Sequence, residues 1–517
     1  MISDNINSTD FPMTLTRNKR DEFIINIRKK KNQTFLLKKR LKVYDPKEKE
    51  QNPNIQEAIY GDFSTPPKNK PREPPVITQE MQERLQAAQK EFFRCLANQE
   101  FEQLTPIIEF LREATVDKSD AIPGEVIIDM QIVPHLISLL SETFMNHQKL
   151  QLELSWLLAN ISAGTSEDVS YLVAKGIIPA LSKCLKFSNN EGFDENIIWT
   201  LANISGEKDP AFRDQVIEED ALYLVIRALC KTPKNVIYYR AAAWLMSNVF
   251  HIKPCPPFEK IEKVFAALAH LIDYDDDAIK QHTLQCLIYL SQDVKEEHIR
   301  ALIVNGLIPK IIAHLEYEEP RIAKNAVKTI GNLIFADRDI LINLGEDKIL
   351  KKMSKVLPTL DEDLRRESIK MLSNMFSEEF RYHDFAIEYE IPSILARIAY
   401  HDVEENKIQA TMCLANFLGN CGVEDGKTLR SNELLLTLMK NVEEGTTLLV
   451  YWSLKVLSGL FEQGEHEKEE EEAEYNRFVM EFVQNNYREK LEGLANHPED
   501  DVSCLVGALL DKFFAQS

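Results

Sequence analysis

A chain of 517 residues is longer than one hydrophobic core organises, at about 100–200 residues per domain, so several domains or one long array are expected. With 44% apolar and 28% charged residues the composition excludes a wholly disordered chain, and only 17 glycines argue against a β-rich or glycine-loop-rich protein. The formal charge of −21 is uneven: residues 17–42 carry eleven Lys/Arg against Asp21 and Glu22, so the remainder is strongly acidic and is expected to repel nucleic acid.

The opening MISDNINSTDFP lacks the basic-then-apolar order of a secretory signal. No apolar run approaches the roughly 18 residues of a membrane span, so membrane insertion is not expected. The eight cysteines form no CxxC pair, which disfavours a zinc ribbon or a dithiol site and predicts buried thiols in a reducing compartment.

In chain order, residues 1–45 read as a basic arm. Its basic positions are Arg17, Lys19, Arg20, Arg28, Lys29, Lys30, Lys31, Lys38, Lys39, Arg40 and Lys42; Phe23, Ile24, Ile27, Phe35 and Leu36 supply an apolar face. That pattern predicts an amphipathic helix over about 20–40, marginal without a partner. Residues 46–79 hold seven of the 22 prolines and read as a flexible linker.

From residue 80 to 515 the periodicity is helical and repeats. The segments SWLLANIS, IWTLANIS, AWLMSNVF, LQCLIYLS, VKTIGNLI, IKMLSNMF and TMCLANFL align on Asn160, Asn203, Asn248, Tyr289, Asn332, Asn374 and Asn416, with spacings of 43, 45, 41, 43, 42 and 42. A second marker is Pro134, Pro179, Pro309 and Pro392; proline in the first turn of a helix loses no intrahelical bond and marks its start. This period is that of an armadillo or HEAT solenoid, and the LxN-type helix favours armadillo. The expectation is an all-α, right-handed superhelical array of about ten repeats with a concave groove.

Trp156, Trp199 and Trp244 each precede their asparagine by four residues, so indole and amide share one helix face on three consecutive repeats. An amide carries a donor and an acceptor and suits an extended peptide backbone; indoles suit the stems and heads of Lys and Arg. Glu153 and Glu207 are candidates to receive the charged heads. The bland alternative is that tryptophan on a helix packs a core, but three matched pairs in one register favour a binding surface. Further along, Gln285, Lys328, Lys370 and Met412 stand where the tryptophans would. Asp273, Asp275, Asp276 and Asp277 are read as helix caps and the run 465–475 as a solvated helix or loop.

The arm RNKRDEFIINIRKKKNQTFLLKKR, with clusters at 17–20, 28–31 and 38–40, resembles the importin-β-binding domain of the importin alpha family. WLLANISAGTS, WTLANISGE and WLMSN resemble that family's armadillo repeats two to four, and LEGLANHPEDDVSCLVGALLDKFF resembles its last repeat. The resemblance implies a nuclear import adaptor, not an enzyme, with no cofactor. It implies importin beta, cargo with lysine-rich nuclear localisation signals, and a CAS-type export receptor with Ran-GTP as partners, and shuttling between cytoplasm and nucleus. It implies a major signal site at Trp156, Asn160, Gly164, Trp199, Asn203, Glu207, Trp244 and Asn248, to which the spacing argument adds Glu153. A weak minor site follows at Tyr289, Lys328, Asn332, Asn374 and Asn416, and an arm whose Lys38, Lys39 and Arg40 occupy the groove when free. The chain departs from the family at Val169, Ala241, His282, Lys370, Met412 and Gln409, so a retuned major site and a narrowed cargo range are expected. A general armadillo scaffold would explain the repeats but not the arm. An enzyme is disfavoured, because no GxGxxG, HExxH or GxSxG occurs. Membrane attachment through the arm would show as liposome binding that survives moderate salt.

Overall fold

The structure, a computed structural model, describes residues 77–116, 121–231, 234–292, 294–336, 346–377, 383–420 and 431–514. The arm, with all its basic clusters, and the linker up to residue 76 lie outside the described residues, as does Cys421. The described chain is an all-helical armadillo-repeat solenoid whose contacts divide it into two units, at Leu271 and Ile272.

The first unit holds α1 (Gln79–Ala97), α2 (Phe101–Ala114), α3 (Gly124–Asp129), α4 (Val133–Leu139), α5 (Gln148–Ser162), α6 (Ser166–Ala174), α7 (Ile177–Phe187), α8 (Glu191–Ser205), α9 (Pro210–Glu218), α10 (Ala221–Lys231), α11 (Val236–His251) and α12 (Phe258–Leu271). The long helices that close each repeat stack in sequence, α2 on α5, α5 on α8 and α8 on α11. Helix α5 forms because Gln148–Ser162 contains neither Gly nor Pro, and it buries Leu150, Leu154, Leu157, Leu158 and Ile161 at helical spacing. At about 1.5–3 kcal/mol per fully buried aliphatic side chain, this stripe outweighs the weak intrinsic preference of so short a helix. The chain then turns at Ala163 and Gly164, and Thr165 starts α6 with a capping box: Thr165 Oγ1 accepts from the Asp168 amide at 3.2 Å, and Asp168 accepts from the Thr165 amide at 2.8 Å. Helix α8 is enclosed by neighbours on both sides and is buried around most of its circumference.

The second unit holds α13 (Asp277–Ser291), α14 (Glu296–Val304), α15 (Leu307–Ala313), α16 (Pro320–Ala336), α17 (Glu346–Val356), α18 (Glu362–Met375), α19 (His383–Glu388), α20 (Ile391–His401), α21 (Glu404–Gly419), α22 (Ser431–Glu444), α23 (Thr447–Glu470), α24 (Arg477–Gln484), α25 (Arg488–Gly493) and α26 (Asp500–Phe513). Its repeat-closing helices stack as α13, α16, α18, α21, α23 and α26.

The predicted helix-start prolines all fall within the first three residues of their helices, α4, α7, α15 and α20. The chain enters α7 and α15 through Gly176 and Gly306, with φ of 81° and 63°, where a side chain would be strained. The aspartate run is absorbed locally. Asp276 caps α13 by accepting from the Ile279 amide at 3.1 Å, Asp273 pairs with Lys310 at 2.6 Å, and Asp277 accepts from Tyr317 at 2.8 Å. The acidic run at 465–475 is mostly exposed, as expected of a solvated helix or loop, except at Glu467. Its first half continues α23, and Glu467 is buried against Arg477 at 2.6 Å. Among the thiols, Cys95, Cys184, Cys286 and Cys413 are buried as expected, while Cys255 is half-buried and Cys504 is exposed. Burial pushes the Cys184 thiol up to about 12, so it is an inert packing group at neutral pH.

Candidate functional site

Each indole–asparagine pair lies on one repeat-closing helix of the first unit: Trp156 and Asn160 on α5, Trp199 and Asn203 on α8, Trp244 and Asn248 on α11. Trp156, Asn160 and Asn203 are half-buried, whereas Trp199 and Trp244 are 8% and 6% exposed and Asn248 is 1% exposed. The row is therefore open at its first pair and largely enclosed at its third.

The asparagines have a structural duty that the spacing did not reveal. Asn160 Nδ2 donates to Thr115 Oγ1 at 2.8 Å, Asn203 Nδ2 to Ser162 Oγ at 2.9 Å and Asn248 Nδ2 to the Ala202 carbonyl at 2.8 Å. Each bond reaches back one repeat and staples it to its predecessor. An amide has a second N–H and an acceptor oxygen beyond this bond; the Asn160 Oδ1 is itself buried and has no hydrogen-bond partner among the described residues, so a peptide would reach it only if the side chain turned. Part of the signal was present in the sequence: the tripeptide NIS recurs at 160–162 and 203–205, and the serine of the first accepts from Asn203, whereas Asn248 bonds the Ala202 carbonyl instead of the second serine.

The indoles are not evenly spaced. Trp199 and Trp244 lie with ring centroids 4.5 Å apart and planes at 50°. A polymethylene stem between two rings needs about 7 Å, twice a carbon contact distance. The slot expected between these two rings is closed by the rings themselves. Trp156 is covered instead by an internal cation, with the Arg112 guanidinium carbon 4.5 Å from its ring centroid. Arg112 Nε also donates to the Glu153 carboxylate, so Glu153 is already engaged within the fold.

Two further predicted residues have clear local roles. Gly164 is required by a close approach: a Cβ there would lie 2.2 Å from Asp168 Oδ2, the carboxylate oxygen of the α6 capping box. Glu207 is buried and accepts from Ser166 Oγ at 2.7 Å. Val169 and Ala241 are fully buried, so these departures pack the core. Reading by i+4 spacing also missed Glu195, one turn before Trp199, which accepts from Asn235 Nδ2 at 2.7 Å. Beside it, burial first, then the neighbouring Glu191 and Glu195 charges, push Asp194 up to about 6 against the pull of Ser188 and Lys234.

In the second unit, the staple persists. Asn332 Nδ2 donates to Ser291 Oγ at 3.0 Å and Asn416 Nδ2 to Ser373 Oγ at 2.9 Å. Tyr289 and Asn374 are half-buried at their predicted places. Of the four tryptophan positions two hold cations, with Lys328 and Lys370 3.6 and 3.5 Å from the same carboxylate, Glu367, and two hold Gln285 and Met412.

The armadillo/beta-catenin-like repeat model matches residues 165–206, the span from α6 to the end of α8. Importin subunit alpha-1b of Oryza sativa subsp. japonica is 31% identical over 235 residues, 46% of this chain and 42% of that protein. Importin subunit alpha-6 of Arabidopsis thaliana is 28% identical over 295 residues, 57% and 50% of the two chains. This chain is a divergent homologue of the importin alpha subunits. The matched stretch spans about half the length of these importin alpha relatives or less. An engineered protein of known crystal structure superposes with a TM-score of 0.67 at 17% identity, over 82% of this chain and 98% of its own, which supports the fold alone. No described helix is long and apolar enough to cross a membrane.

Proposed function

We propose that the protein is an importin alpha-type adaptor that binds lysine-rich nuclear localisation signals along the first unit and joins cargo to importin beta through residues 1–45. The observation that carries this reading is the triple repetition of Trp156/Asn160, Trp199/Asn203 and Trp244/Asn248 on successive repeat-closing helices. The basic arm supports it from the sequence side, and the kinship with importin alpha subunits supports both.

In this reading Trp156, Asn160, Gly164, Asn203 and Glu207 form the first part of the major site, although Glu207 is buried and Trp156 is covered by Arg112, and binding at Trp199 and Trp244 requires the two rings to part. Tyr289, Lys328, Asn332, Asn374 and Asn416 form a minor site that disfavours cations because Lys328 and Lys370 already hold two of its indole positions. The clusters at 17–20, 28–31 and 38–40 engage importin beta, and Lys38, Lys39 and Arg40 compete with cargo when importin beta is absent. Tethering places them near millimolar effective concentration, so weak binding suffices. A CAS-type receptor with Ran-GTP would recycle the adaptor between nucleus and cytoplasm.

The test titrates a fluorescent lysine-rich signal peptide into the full chain and into the full chain carrying Lys38→Ala, Lys39→Ala and Arg40→Ala. Tighter binding to the substituted chain, and equal tightening of the parent by importin beta, is the expected result. Absence of peptide binding by both chains would refute the adaptor reading. The closed Trp199–Trp244 contact favours one second reading, a specialised carrier with few partners; it predicts binding of a minority of signal peptides in a panel.

A further inference from the structure

Arg112 ends α2, one repeat before Trp156. Its side chain reaches onto α5, where it meets the three features a bound basic residue would use: an aromatic face, a carboxylate and a nearly dry environment. The guanidinium carbon stands 4.5 Å from the Trp156 centroid, and Nε donates to Glu153. Arg112 and Glu153 side chains are 8% and 9% exposed. Among the described residues, only Glu113, itself mostly exposed, adds a second carboxylate at 3.3 Å.

A guanidinium lying over an indole and bonded to a buried carboxylate through Nε is a favourable arrangement for a buried cation. An incoming lysine would have to displace a charge that is already desolvated and paired. The displaced arginine would be rehydrated, but Glu153 would exchange one cation for another with no net gain. We propose that Arg112 is an internal ligand of the Trp156 face, which removes this position from signal reading and sets the chain's selectivity against signals that depend on it. The proposal rests on the adaptor reading for its biological meaning, but its chemistry is local to three side chains.

Arg112→Ala removes the guanidinium from the indole and, among the described residues, leaves Glu153 without its paired cation. The experiment measures binding of an octalysine peptide by fluorescence anisotropy to the full chain, to its R112A form and to R112A/W156A, with helicity checked by circular dichroism. A K149A form serves as the charge control, since Lys149 is an exposed lysine on α5 paired with Glu109. The expected result is at least tenfold tighter binding by R112A, loss of that gain in R112A/W156A, and a change below twofold in K149A. If R112A loses helicity, Arg112→Lys replaces it, for which about threefold tightening is expected, because an ammonium cannot stack or fork as a guanidinium does. Parent binding with no tightening on removing Arg112 overturns this inference and leaves the adaptor reading standing. Binding by the variant alone upholds the inference. Binding by neither overturns both. A gain in K149A equal to that in R112A also overturns the inference, since net charge alone would then account for it.

Discussion

The two units carry the same staple and different faces. In each, an asparagine on a repeat-closing helix donates back to the preceding repeat, at Asn160, Asn203 and Asn248 in the first and at Asn332 and Asn416 in the second. Four residues earlier the units diverge: three indoles in the first, and Lys328 and Lys370 on one shared glutamate in the second. The asparagine answers to the packing of repeat on repeat, which every repeat must satisfy. The residue one turn earlier answers to whatever the face meets, and is free to differ. Indoles offer a cation a surface, whereas lysines paired to Glu367 offer it repulsion.

The comparison can be broken hardest at the indoles. Trp199→Ala removes a large enclosed ring that lies against Trp244 and should cost about 3–5 kcal/mol, read as a lowered denaturant midpoint of the first unit. A loss below about 1 kcal/mol would mean that the indole row is surface, not packing.

Next in size is a pH effect at the start of α8. Asp194 is raised from 3.8 to about 6, chiefly by burial, so the folded state holds its proton more tightly than the unfolded chain. Stability from this group is present below about pH 4 and is lost as pH rises through about 6. Asp194→Asn should therefore leave stability unchanged near pH 4 and gain about 2–3 kcal/mol above pH 7. Denaturation at pH 4 and 7.5 checks it, and an equal effect at both would exclude titration of the buried carboxyl as the cause.

Smaller and more discriminating is the pair Asn203→Ala and Asn332→Ala. Each deletes one inter-repeat hydrogen bond and leaves a serine hydroxyl behind, for about 1 kcal/mol apiece. Equal costs would confirm a shared staple, measured by hydrogen exchange in the flanking helices; a cost confined to one unit would separate the two. The smallest effect belongs to Glu367→Gln. The two lysines and Glu367 are partly exposed, so the change should stay within about 1 kcal/mol and fade at roughly 1 M salt.

How much was legible in the sequence follows from what spacing can encode. The asparagine register and the prolines of α4, α7, α15 and α20 were legible, because period and first-turn chemistry act within a helix or one repeat. That Trp156 and Asn160 share a face was legible for the same reason. That Arg112 lies over Trp156 was not, since it depends on how α2 is rotated against α5. Nor was the contact of Trp199 with Trp244, since i+4 spacing fixes a face of a helix but not the distance between the faces of two helices. The acceptor Ser162 was in view in the first NIS tripeptide, but its use, like that of Thr115, Ser291 and Ser373, required knowing that the amide points backward along the array.

The backward reach of each asparagine has a mechanical consequence. Each of these five bonds joins residues between 41 and 46 apart, so within each unit the stapled repeats are sewn to the repeat just before them. A solenoid tied this way assembles through contacts near in sequence and yields one seam at a time. Under load from its ends it would behave as a zip, with each parted tooth able to re-engage from the repeat beside it.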